Sequence, residues 1–62
     1  MVVNFKKMET LLVNNDMSIK DLMEKSKISF SSITNIKEGK DVRIKTVSRI
    51  IKALNVSAED IM

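Results

Sequence analysis

Apolar residues recur along this chain at helical spacing. Phe5, Met8, Leu11 and Leu12 share one face, with Lys6, Lys7 and Glu9 on the other. Asn4 stands ahead of them as an N-cap, so a first helix is predicted over about 5–13. Asn14-Asn15-Asp16 are poor helix formers that tolerate left-handed geometry, and they end it. Ile19, Leu22 and Met23 repeat the pattern at i, i+3, i+4 and predict a helix over about 19–25. Ser18 caps it, and Asp21 completes a Ser-x-x-Asp pattern that resembles a capping box. Met17, just before the cap, is placed to staple Leu22.

The chain then turns through Ser26-Lys27-Ile28. Ser29 offers another cap, Ile33 and Ile36 form an inward stripe, and Gly39 closes a helix over about 30–38 as a C′ residue. Lys40-Asp41-Val42-Arg43 connects to the cleanest period in the chain. Val47, Ile50, Ile51 and Leu54 fall at i, i+3, i+4 and i+7 of a helix over about 44–54, with Lys45, Ser48, Arg49 and Lys52 outside. Asn55 follows as its C′ residue. Ser57 caps a last short helix, with Glu59 and Asp60 in the first turn, where the helix dipole favours acids. The expected architecture is all-α, five short helices forming one domain over residues 1–62.

Composition narrows the chemistry. A chain of 62 residues buries only about 60% of the surface its unfolded form exposes, so its stability is marginal. Cysteine and histidine are absent and no acidic cluster has metal-ligand spacing, so no disulfide, metal or cofactor is expected. The core must be aliphatic, and the five Met read as its adaptable filler. No apolar run exceeds three residues (Leu11-Leu12-Val13 is one), which argues against a membrane span or signal peptide and for a cytoplasmic protein. With no His, Cys, Tyr or Trp, no glycine-rich phosphate loop and little chain to enclose a pocket, neither catalysis nor a small-molecule ligand is expected.

The net charge is only +3, but it is unevenly placed. Residues 37–52 carry Lys37, Lys40, Arg43, Lys45, Arg49 and Lys52 against Glu38 and Asp41, a net of +4, and the remainder is slightly acidic. Two short helices joined by a tight turn form the pattern of a helix-turn-helix, whose second helix enters the DNA major groove. A basic segment directly after that helix lies where phosphate contacts are wanted.

These residues resemble the lambda-repressor-like, Cro-type helix-turn-helix family of phage and bacterial regulators. The likeness runs through Met17-Ser18 and Leu22, then Ile28-Ser29, Ile33 and Ile36-Lys37-Glu38-Gly39-Lys40. Ile44-Lys45-Thr46 and Ala53-Leu54-Asn55-Val56-Ser57 follow at the family's usual spacing. The resemblance implies a five-helix domain whose third helix reads bases. Three departures stand out. Lys27 occupies a turn position where the family often has Gly, and Met23 one where it often has Ala. Leu12 and Lys37 replace a common Arg–Glu pair, so no charge is stranded.

Helix geometry selects the reading face. With Ile33 and Ile36 inward, Ser31, Asn35 and Glu38 point nearly away from the core, Thr34 less squarely, and Phe30, Ser32 and Lys37 lie on the flanks. Ser31, Thr34 and Asn35 are the candidates for base edges, Asn35 foremost because its amide matches adenine N6 and N7. Phe30 joins them as a residue that either packs on Met23 or touches a thymine methyl; Glu38 reads as a solvated helix end. Lys37, Lys40, Arg43 and Lys45 are the phosphate candidates, with the hydroxyls of Ser18 and Ser29, whereas Arg49 and Lys52 read as solvent-facing. The expected function is a sequence-specific repressor on double-stranded DNA, dimerising through Val56, Ile61 and Met62, although Ile61 and Met62 also suit the core. The rival expectation is an antitoxin-like or adaptor module that uses the same fold to bind protein.

Overall fold

The computed structural model describes residues 1–62. It contains four α-helices: α1 (Phe5–Asn14), α2 (Ile19–Ser26), α3 (Phe30–Lys37) and α4 (Ile44–Leu54). The expected fifth helix is a single 3-10 turn, Ala58–Asp60. Its three residues are too few for an α-helical nucleus. The Asp60 carboxylate instead accepts from the Ser57 N–H at 2.9 Å and its Oγ–H at 3.1 Å, after which Ile61 drops into the core. α4 begins and ends where the apolar period does, and the other α-helices end within one residue of expectation.

The caps act as the side chains suggest. Asn4 Oδ1 accepts from the Lys7 N–H at 3.1 Å. Ser18 and Asp21 exchange side-chain-to-backbone bonds of 3.1 and 3.0 Å, a complete capping box. Every α-helix then stops at a residue with positive φ: Asp16 (58°), Lys27 (59°), Gly39 (77°) and Asn55 (56°). After α1, α3 and α4 this residue sits in a Schellman motif, with six-to-one bonds Met17 N to Leu12 O (2.9 Å), Lys40 N to Asn35 O (2.8 Å) and Val56 N to Ile51 O (3.0 Å). α2 ends in the simpler left-handed motif, the Lys27 N–H donating to Met23 O at 2.8 Å. Only Gly39 adopts this conformation without cost, and Asp16 and Asn55 tolerate it; Lys27 does not.

The core is one cluster of aliphatic side chains contributed by every helix and both chain ends, including Val3, Met8, Leu12, Leu22, Ile33, Ile36, Ile50 and Leu54. α4 packs across α2. Of the methionines only Met8 is fully buried; Met17 and Met23 pad the edge of the cluster, and Met1 and Met62 are exposed. Ile61 is fully buried, which corrects its expected place in a dimer interface: it fills a core that has few large side chains to draw on. The one buried polar side chain, Ser26, donates its hydroxyl to the Leu22 carbonyl one turn back and so carries no unmet hydrogen bond into the core.

The N-terminal segment is extended. Val2 forms an isolated antiparallel bridge with Asp41, and the Asn4 N–H donates to Ile61 O at 2.7 Å. The α3–α4 connection, the first residues and the last residues are thereby laced together.

Candidate nucleic-acid interface

α2 and α3 meet through Lys27, Ile28 and Ser29. Lys27 turns the chain, Ile28 is buried, and the Ser29 hydroxyl caps α3 by accepting from the Ser32 N–H at 3.3 Å. Burial of Ile33 and Ile36 then fixes the rotation of α3. Ser31 is fully outward, as expected. Thr34 and Asn35 are only half exposed.

On one of these flanks, Ser29, Ser32 and Asn35 form a wall facing Arg43, Thr46 and Arg49 across an open groove. Lys27 closes one end and Asp41 lies along the connection. Asp41 is matched by the N-terminal ammonium, whose hydrogen bond and charge hold its carboxyl below the usual carboxylate range. Lys27, Arg43 and Arg49 have no carboxylate partner in the chain. The groove is thus polar and cationic, and continuous with the outer face of α3 through Asn35. Thr46 and Arg49 were not among the residues expected at the site. Their spacing from Arg43, three and six residues on, aligns them on one side of α4, a signal the apolar period had masked.

The other flank carries Phe30, which is 67% exposed, so it is a free aromatic surface rather than packing for Met23. Lys37 and Lys45 are exposed, with no ion-pair partner. Lys40 pairs with Glu38 at 3.1 Å, an exposed contact of the kind that contributes little and opens readily. Arg43 precedes α4 without capping it by its side chain, leaving the guanidinium free. Ser18 and Ser29 spend their lone pairs on capping. The Ser18 hydroxyl keeps a proton that can be turned toward a phosphate oxygen, and the Ser29 hydroxyl does so when Ser32 is the donor in the 3.3 Å contact between their oxygens.

In the C-terminal region, Val56 is half-buried and Met62 is 40% exposed, so the dimer surface expected there is reduced to these two. No group of His, Cys, Asp and Glu is gathered as a metal site needs, and no helix is long and apolar enough to cross a membrane.

This geometry presents a polar helix face beside cations that lack carboxylate partners, which suits a polyanion with readable edges. A family model for the Cro/C1-type HTH DNA-binding domain matches residues 7–62. Neither the curated proteins nor the solved structures contain a match to the chain. The family match takes in α2, the turn, α3, the groove and all of α4. The chain therefore belongs to the Cro/C1-type helix-turn-helix family of DNA-binding regulators.

Proposed function

We propose that this protein is a repressor of the phage or bacterial type that recognises a specific duplex DNA sequence with α3. The observation that supports it best is the polar outer surface of α3 lying beside a groove whose three cations, Lys27, Arg43 and Arg49, have no carboxylate partner in the chain. Ser31, Thr34 and Asn35 face base edges in the major groove, and the exposed ring of Phe30 meets a thymine methyl. Lys37, Lys40, Arg43 and Lys45 bind backbone phosphates, assisted by the hydroxyl protons of Ser18 and Ser29. Occupying the operator, rather than any catalytic step, is the regulatory act. Residues 1–62 form one helix-turn-helix DNA-binding domain, acting in the cytoplasm where its DNA lies. Two copies related by a two-fold axis, meeting through Val56 and Met62, would place two α3 helices about one DNA turn apart.

Selection from a pool of random duplexes tests this reading. An enriched palindrome is the expected result. Binding with no enriched sequence would transfer the outer face of α3 to the rival function, recognition of a protein partner.

A further inference from the structure

Lys27 is the point at which the direction of α3 is set. Its backbone is left-handed (φ 59°, ψ 37°), and only Ile28 separates it from the cap of α3. No backbone N–H reaches its carbonyl. Nη1 of Arg49, in the middle of α4, donates to that oxygen at 3.3 Å, across 22 residues of sequence. This is the one hydrogen bond the Arg49 side chain makes in the chain, and no carboxylate lies within ion-pair distance of it.

We infer that Arg49 is a positioning residue for DNA reading: its guanidinium braces the left-handed turn against α4 and thereby aims α3. A guanidinium suits this task. It makes a charge-assisted bond to a carbonyl that has no other donor, at a turn held by a residue with no intrinsic liking for that conformation. α4 is the firmest anchor available, since Val47, Ile50, Ala53 and Leu54 all point into the core. Ser31 and Asn35 project from the helix that this turn launches. Recognition groups must be held to within about 0.5 Å of their productive geometry, so a loosened turn erodes discrimination before it unfolds the protein. The inference rests on α3 being the base-reading helix. The competing role for Arg49, given its place on the groove wall, is direct contact with a phosphate.

The test compares Arg49→Met, which keeps the aliphatic stem and removes the donors, with Arg49→Lys, which restores a charged donor. In the free protein, hydrogen exchange of the Ile33 amide, which donates to Ser29 O in the first turn of α3, should quicken several-fold relative to α1 amides in Arg49→Met. It should largely recover in Arg49→Lys. On DNA, the ratio of affinities for the selected and a scrambled duplex should fall about tenfold in Arg49→Met, the scale of one charge-assisted hydrogen bond. The log–log salt slope should stay unchanged, and Arg49→Lys should again recover the ratio. Unchanged exchange in Arg49→Met would overturn the brace. So would a slope reduced by about one with the ratio intact, the signature of a phosphate ligand. Quickened exchange in a protein that selects no sequence would support the brace while removing the base-reading function.

Discussion

Val42 and Met1 are paired through their backbones in both directions. The Val42 N–H donates to Met1 O at 2.7 Å, and the Met1 ammonium donates to Val42 O at 2.9 Å. The connection that carries Lys40 and Arg43 is thus laid against the N-terminal segment, which is anchored by Val3, buried to 2% exposure. Burial rather than position in the chain decides how much such a segment matters. Val3→Ala should cost about 1–3 kcal/mol by removing buried methyls and leaving a cavity. Val2→Ala, one residue away but facing solvent, should stay within about 0.5 kcal/mol of the parent. Denaturant titration of both variants checks the contrast.

Lys27→Gly should be neutral to stabilising by up to about 1 kcal/mol, because the strain of a Cβ at φ 59° is released while the unfolded chain gains some entropy. The Arg49 bond is to a carbonyl and survives the change. Asn55→Gly should gain less, since Asn tolerates that conformation. A marked loss of thermal stability in Lys27→Gly would contradict this account of the turn.

Acid should weaken the protein as pH falls below about 4. The Asp21 carboxyl is held below its ordinary value, 3.8, chiefly by the hydrogen bond it accepts from the Ser18 backbone N–H. Asp41 is held low by the hydrogen bond and charge of the N-terminal ammonium. A carboxyl with a lower pKa folded than unfolded contributes stability that is complete above the unfolded value and is lost as pH drops through the folded one. The unfolding midpoint, followed from pH 6 to 2, should therefore decline in this window. The decline should be shallower in Asp21→Asn.

Asn35→Ala and Arg43→Ala should fail in different ways on DNA. Loss of the amide should cost about 1–3 kcal/mol on the selected duplex and leave scrambled DNA nearly unaffected. Loss of the guanidinium should weaken all sequences alike and lower the salt slope by about one. Fluorescence anisotropy across a salt series separates the two. Equal losses on both duplexes in both variants would argue that α3 does not read bases.

The helices, their caps and most of the core follow from residue spacing alone, because these are short-range matters. The period of Val47 to Leu54 is a property of one helix, and the bonds between Ser18 and Asp21 span a single turn. The outward aspect of Ser31 follows from Ile33 and Ile36 in the same way. What the pattern left undecided depends on segments distant in sequence coming together. Ile61 fitted the core or a partner equally well until its burial, with Asn4 bonded to its carbonyl, removed it from the surface. Phe30, at the start of α3, suited packing on Met23 somewhat better than contact with DNA, and its 67% exposure overturns the packing. Arg49 read as a solvent-facing residue of a basic helix. Its hydrogen bond to Lys27 exists only because α4 crosses α2 at the end where the turn begins, a relation that no local period encodes.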